Sequence, residues 1–316
     1  MRYFPLALFV MLFAACGEKF LKELEVDLPD VESQMAVTAT FGSTDTELQL
    51  FVGRTAGTLA PDTDDAPVRD ASVVLLRDEV PVGTFAFADR DRPNEDGASL
   101  YYYLPTPDGL APGTYTLEVD APDFDPVRGS QTLPDTARIR DAVITPDGFV
   151  STDGQRYDEL TMRIDDVPGA RSYYRLQVFT RVTEVFDPDG SGQLDTFTFS
   201  NPSFPVTNNP TLEEGFEAGL YFTDATFEDG TLNLRIGINR TISFSGGLEP
   251  GTTLDYVVLL DHLTQDYYNY ARSVDAFRSA RDNPFAEPVN IVGNLDGGPG
   301  IFGLSGRTSR FFELEE

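Results

Sequence analysis

The 316-residue sequence contains one cysteine, one histidine, two lysines and no tryptophan. A lone cysteine forms no disulfide within its chain and excludes a metal site built from several thiolates. The two lysines, Lys19 and Lys22, stand in a chain whose formal net charge is −29 at pH 7. Because phosphate recognition depends on clustered lysine and arginine, this composition excludes nucleic-acid binding through a basic surface.

Recognisable catalytic motifs are missing as well. The sole histidine, His262, lies at the end of an apolar run, which predicts a structural imidazole rather than a member of a catalytic triad. The sequence has no HExxH motif, no cysteine-based zinc spacing and no phosphate-binding glycine loop with its lysine. Acidic pairs are numerous, so a hydrolase that uses two carboxylates stays open as an alternative. We expect a protein without enzymatic activity.

The N-terminus has the order of a secretory signal. Arg2 precedes a run of roughly 10 apolar residues, which is too short for a bilayer that needs about 20. The run ends at Ala14 and Ala15, directly before Cys16, and the sequence FAAC resembles the lipobox of bacterial lipoproteins. The resemblance implies removal of residues 1–15 and acylation of the Cys16 sulfur, which anchors a protein stably when several chains are attached.

Residues 16–30 then form a charged tether between the lipid and the folded chain. Gly17 stands where an inner-membrane retention signal of the enterobacterial kind has Asp, so we expect the outer membrane. Acidic residues after the cysteine also resemble the surface-export signal of lipoproteins from Bacteroidota. The periplasmic and surface faces both stay open.

Period-2 alternation predicts an all-β fold. Short runs rich in β-branched and aromatic residues, such as 46–52 and 114–120, are separated by clusters of Gly, Pro and Asp. Over residues 31–134 this spacing predicts an Ig-like β-sandwich. The segments PVRDASVVLL at 67–76 and DGLAPGTYTLEVDAPDF at 108–124 resemble the prealbumin-like sandwich of carboxypeptidase regulatory domains. A second β-rich domain is expected over residues 135–316.

One helix interrupts the second β region. Between residues 264 and 281, apolar and aromatic side chains recur at three- and four-residue steps, which is the pattern of a helix packed on a sheet. Thr264 is the expected N-cap, and Pro284 follows the expected end.

A calcium-binding pattern lies in the sequence DPDGSGQLDTFT. Asp187, Asp189, Ser191 and Asp195 occupy positions one, three, five and nine of an EF-hand loop. Thr198 replaces the glutamate expected at position twelve, and the flanking residues predict strands instead of helices. The sequence therefore allows either a weak calcium site or a solvated acidic hairpin tip, and no other cofactor is expected.

The segment NPFAEPVNIVGNLDGGPGIFGLSGR, residues 283–307, closes the sequence with a distinctive pattern. Asn294, three nearby glycines at 297, 298 and 300, and the sequence GIFG together resemble the C-terminal signature of the domain of unknown function 4249 family of Bacteroidota lipoproteins. We expect the glycines to permit positive φ or close backbone approach, and Ile301 and Phe302 to enter the core.

The resemblance implies a non-enzymatic lipoprotein of the outer membrane that associates with a TonB-dependent transporter. A calcium-stabilised surface adhesion or assembly module is the alternative. The ligand and the oligomeric state are not determined by the sequence.

Overall fold

A computed structural model describes residues 32–55, 67–91, 98–167, 171–187, 193, 195–215, 219–239, 252–281 and 286–313. Within these residues most of the protein is β-strand, and there is one α-helix. The all-β class with a single helix, predicted from the alternating pattern, is confirmed.

The largest element is a ten-stranded sheet. Its order is β14-β15-β11-β17-β18-β1-β2-β6-β5, and β12 pairs with the second half of β11. Its strands are β1 (Met35–Gly42), β2 (Glu47–Arg54), β5 (Ala86–Asp91), β6 (Ala98–Pro105), β11 (Tyr173–Phe186), β12 (Asp195–Ser203), β14 (Glu213–Gly215), β15 (Gly219–Thr223), β17 (Thr253–Leu263) and β18 (Gly300–Glu313).

Two four-stranded sheets pack on the same face of the large sheet. The first has the order β4-β3-β7-β8, and the second has the order β13-β16-β10-β9. The strands of the first are β3 (Ser72–Arg77), β4 (Val80–Thr84), β7 (Thr114–Asp120) and β8 (Val127–Thr132). The strands of the second are β9 (Arg138–Val150), β10 (Arg156–Asp165), β13 (Pro205–Val206) and β16 (Thr231–Ile238).

The first core lies between the β4-β3-β7-β8 sheet and strands β1, β2, β5 and β6. Alternation in β7 shows why: Tyr115, Leu117 and Val119 are each 1% exposed, while the residues between them face outward. Complete burial of a side chain of this size stabilises the fold by about 1.5–3 kcal/mol. Phe302 and Leu304 of the final strand belong to the same core, so the N-terminal sandwich is completed from the C-terminal end of the chain.

The second core lies between β9, β10 and β16 on one side and β11, β15 and β17 on the other. Leu160, Leu176, Ile236 and Leu260 are fully buried there. Phe312 packs against this cluster, so β18 contributes to the first core near its start and to the second near its end.

Helix α1 (Gln265–Arg281) lies on the opposite face of the large sheet. Its buried residues include Tyr267, Ala271 and Val274, so these members of the predicted stripe are confirmed. Phe277 also falls in that stripe, but it is 40% exposed, which corrects the prediction at this position. Thr264 directly precedes the helix, at the expected N-cap position, and its carbonyl accepts the hydrogen bond of the Tyr268 amide. The Thr264 hydroxyl accepts from the amide of Leu304 in β18. A short 3-10 turn, Asp224–Thr226, is the other helical element of the described residues.

The two predicted domains share one sheet. The expected boundary falls between β8 and β9, and the large sheet crosses it because β18 pairs in parallel with β1 and antiparallel with β17. The division into residues 31–134 and 135–316 stays a prediction. The sequence RTISFS, residues 240–245, also predicts a strand by its alternation, and it lies outside the described residues.

Candidate functional site

In the C-terminal signature, the side chain of Asn294 forms hydrogen bonds that connect its loop to β18 and to the helix. Its Nδ2 donates to the carbonyl of Phe302 at 2.8 Å, and its Oδ1 accepts from the Phe302 amide at 2.8 Å. The same amide group reaches Asp266 of the helix at 3.3 Å, and Gln131 of β8 donates to that carboxylate at 2.6 Å. Asn294 therefore ties the loop before β18 to the strand and to the first turn of α1.

The signature glycines have the structural role that the sequence predicted. Gly300 has a φ of +134°, and a Cβ placed there would lie 1.8 Å from the carbonyl oxygen of Val37. Gly297 has a φ of +91°, and its Cβ would lie 2.1 Å from the carbonyl oxygen of Pro126. Both positions exclude a side chain because backbone from another strand or loop occupies the space. Ile301 and Phe302 are fully buried, as expected.

A buried cluster of charges lies between the large sheet and the helix. The carboxylate of Asp261 is fully buried and accepts from Arg175 Nη2 at 2.8 Å and from Arg307 Nε at 2.7 Å. Arg307 also donates to Asp45 at 2.7 Å, and Arg175 donates to the Tyr267 hydroxyl at 2.8 Å. Three adjacent strands, the β1–β2 turn and the helix are thereby joined by charge-assisted hydrogen bonds.

The electrostatics of this cluster keep Asp261 ionised. Burial alone raises the pKa of Asp261, but the positive charges of Arg175 and Arg307 outweigh that effect and hold the pKa below its usual range. Burial lowers the pKa of Arg307, and Asp261 and Asp45 raise it by more. A general acid needs a raised carboxyl pKa, so the surroundings of Asp261 suit a structural ion pair.

Sequence reasoning missed this cluster, although a signal was present. Arg175 lies in the middle of the apolar run YYRLQV, and Asp261 ends the run VVLLD. A charge at such a position is costly to bury unless it is paired. The two positions indicated a buried ion pair across β11 and β17, where Arg175 and Asp261 are directly opposite each other.

His262 has a hydrogen-bond partner and a stacking partner within the fold. Its Nδ1 lies 2.7 Å from the carbonyl oxygen of Asp135 in the connection before β9. The imidazole stacks on Tyr174, with ring centroids 5.2 Å apart and an interplanar angle of 28°. The Tyr174 hydroxyl in turn donates to Asp166 at 2.8 Å. The histidine therefore belongs to a group of stacked and hydrogen-bonded side chains beside the second core.

The predicted calcium loop lies at the end of the β11–β12 hairpin. The strands that flank the loop are confirmed, and Phe186 pairs with Asp195 at the last described rung. This pairing brings Asp187 and Asp195 to the two sides of the tip, while Asp189 and Ser191 lie outside the described residues. The Asp195 carboxylate accepts from the amide of Thr196 at 2.8 Å. Calcium binding at these four residues stays a prediction.

In the described ranges, no group of three or more His, Cys, Asp or Glu side chains is arranged to hold a metal ion.

The lipidation site Cys16 and the tether that follows it lie outside the described residues. No helix in the part of the chain that the structure describes has both the length and the apolar composition needed to cross a membrane.

A family model described as "Domain of unknown function (DUF4249)" matches residues 22–310, which is most of the chain. No curated protein matches the sequence. The match includes the buried charges, the helix and the C-terminal signature.

Proposed function

The chain belongs to the DUF4249 family, and from this premise we propose that it is a non-enzymatic lipoprotein of the outer membrane. Lipid on Cys16 holds the protein at the bilayer, and its folded β-rich part acts as an accessory binding component of a TonB-dependent transporter. The lipobox sequence supports the anchor, and the family resemblance suggests the class of partner.

One observation carries the non-enzymatic part of the proposal: Asp261, His262 and Asn294 are each held by contacts within the fold. Asp261 is fully buried and bound by two guanidinium groups, and the sole histidine is bound to a backbone carbonyl. Asn294, the polar side chain of the family signature, is bound to the backbone of β18. These contacts join strands, loops and the helix, which is what is expected of side chains that stabilise a fold.

The test uses the tagged full-length chain in its native cells, beside a Cys16→Ser variant. Wild type is expected in the outer-membrane fraction, and mild detergent is expected to release it together with a barrel that mass spectrometry identifies as a TonB-dependent transporter. The variant lacks the acyl acceptor and is expected in soluble fractions. Wild type that fractionates as a soluble protein, or that recovers no such barrel, contradicts the proposal.

A calcium-stabilised adhesion or assembly module is the second candidate, because the β11–β12 hairpin brings Asp187 and Asp195 to the two sides of one tip. By linkage, 1 mM free calcium at a site with a Kd of 0.1 mM adds only about 1.4 kcal/mol of stability. Calorimetry compares wild type with an Asp187→Ala/Asp189→Ala variant. Binding heat in wild type alone supports this candidate, and equal, negligible heats remove it.

A further inference from the structure

The last strand of the chain joins the two halves of the large sheet. β18 pairs in parallel with β1 over Gly300–Ser305 and antiparallel with β17 over Ser305–Glu313. Within the described residues, the order β17-β18-β1 is the one place where strands β1, β2, β5 and β6 connect to strands β11, β15 and β17 of this sheet. Without β18, the large sheet is therefore two separate sheets.

The strands on both sides of β18 are buried. Val37, Ala39 and Phe41 of β1 are at most 1% exposed, and Tyr256 and Leu260 of β17 are fully buried. Each of these strands hydrogen-bonds to β18 along one edge. If β18 were absent, the amide and carbonyl groups of that edge would lie unpaired beside an apolar core, which is costly unless water or another strand pairs with them.

β18 also fills both cores. Phe302 and Leu304 are fully buried in the first core, where the Phe302 ring meets Phe41 edge-on with ring centroids 5.9 Å apart. Phe312 packs against the second core. Loss of a buried aromatic side chain is among the most destabilising changes in a core, so each sandwich is incomplete until β18 is in place.

Arg307 of β18 forms ion pairs with both halves. Its guanidinium donates to Asp45 in the β1–β2 turn and to Asp261 in β17, both at 2.7 Å. Its backbone amide donates to the Ser43 hydroxyl at 2.8 Å, and these two residues are 264 positions apart in the sequence. Asp45 and Asp261 therefore share a cation that belongs to the last strand.

The loop before β18 is fitted to the first sandwich as well. Arg128 of β8 and Asp296 exchange backbone hydrogen bonds of 2.9 and 2.8 Å. A Cβ placed on Gly298 would lie 2.2 Å from the carbonyl oxygen of Met35 in β1. Residues near the C-terminus therefore bind two strands of the first sandwich in addition to completing its core.

We propose that β18 is the closing strand of both sandwiches. Neither sandwich is stable before β18 is inserted, and the two sandwiches then unfold together as one cooperative unit. This device delays folding until the whole chain is available, in contrast to chains whose domains fold one after another from the N-terminus. The inference goes beyond the proposed function and does not depend on the lipid anchor or on a transporter.

Pulse-labelling hydrogen exchange during refolding of the full chain from urea tests the order of events. Peptides from β3 and β7 report on the first sandwich, peptides from β10 and β16 report on the second, and a peptide over Gly300–Glu313 reports on β18. We expect all of them to gain protection in the same phase, because pairing between distant residues must be formed before the cores are stable. An earlier phase that protects β3 and β7 while β18 still exchanges overturns the proposal.

Native-state hydrogen exchange tests the cooperativity with a matched pair of substitutions. Val119→Ala shortens a side chain of the first core that is 1% exposed, and Val82→Ala makes the same change at a position of the same four-stranded sheet that is 42% exposed. Val119→Ala is expected to speed the slowest exchange in β10 and β16 by about tenfold or more, as much as in β3 and β7. Val82→Ala is expected to change the exchange in either sandwich by less than about threefold.

The two experiments decide the question separately. Acceleration by Val119→Ala that is confined to β3 and β7 means that the first sandwich opens on its own, and the proposal is then wrong. The refolding experiment uses the wild-type chain, so its result stands even if Val119→Ala does not fold.

Discussion

Replacement of Asp261 by Asn removes one charge from the buried cluster while keeping the size of the side chain. Arg175, with its side chain 3% exposed, and Arg307, 18% exposed, then lose the anion that lies 2.8 and 2.7 Å from their nitrogens. Two unit charges about 4 Å apart interact by about 4 kcal/mol at an effective dielectric constant of about 20. Relaxation and water entry recover part of this, and loss of one partner of a buried pair typically costs about 3–5 kcal/mol.

We therefore expect Asp261→Asn to lower the free energy of unfolding by about 3–5 kcal/mol. Urea unfolding followed by circular dichroism measures the change, with the slope of the transition as a check on two-state behaviour. Glu118→Gln is the control, because its partner Arg128 lies 3.4 Å away on an exposed surface, where a pair is worth about 0–1 kcal/mol. If the two variants lose equal stability, the cluster does not hold the sheet and the helix together as described.

Three further predictions concern the closing signature and pH. Gly300→Ala drives a Cβ into a backbone carbonyl of β1 and is expected to prevent folding. Gly154→Ala is the control, because Gly154 has φ +84° but no atom within 4 Å of the added Cβ, and it is expected to lose only about 1 kcal/mol of stability. Soluble yield and thermal unfolding distinguish the two variants. Asn294→Ala leaves the Phe302 amide and carbonyl without their side-chain partners and is expected to cost about 2 kcal/mol, and an unchanged urea midpoint contradicts this role. The lowered pKa of Asp261 gives stability that is present above its unfolded pKa of about 3.9 and is lost as pH falls through the lower folded value; urea midpoints between about pH 6 and pH 2 are expected to fall less steeply in Asp261→Asn than in wild type.

The sequence predicted the local structure well because local pattern determines it. Alternation in TYTLEVD gives β7 with Tyr115, Leu117 and Val119 inward, and three- and four-residue steps give a helix that begins one residue after Thr264. The structural role of the signature glycines was also predicted correctly. Close approach of two backbones requires a residue without a side chain, and a glycine can be seen directly in the sequence.

Long-range pairing was not predictable in the same way. The parallel pairing of Val37 with Gly300 joins residues at opposite ends of the chain, and alternation carries no information about which strand lies beside which. The burial of Arg175 depends on a helix on the outer face of the sheet. A single charge in an apolar strand indicates that a partner exists, but its identity as Asp261 follows only from the register of β11 and β17.

The exposure of Phe277 was missed for a related reason. A helical stripe does not show which of its members the rest of the fold covers. Phe277 fits the period of the buried face, yet it lies near the end of α1 and is 40% exposed.

The central claim is that acyl chains on Cys16 fix this protein to a bilayer as a resident accessory component. Intact-mass spectrometry of the mature protein, purified from its native membranes, tests it most directly. The account predicts a chain that begins at Cys16 and carries the added mass of its acyl groups. An unmodified thiol at Cys16, or a mature chain that still begins at Met1, would contradict it.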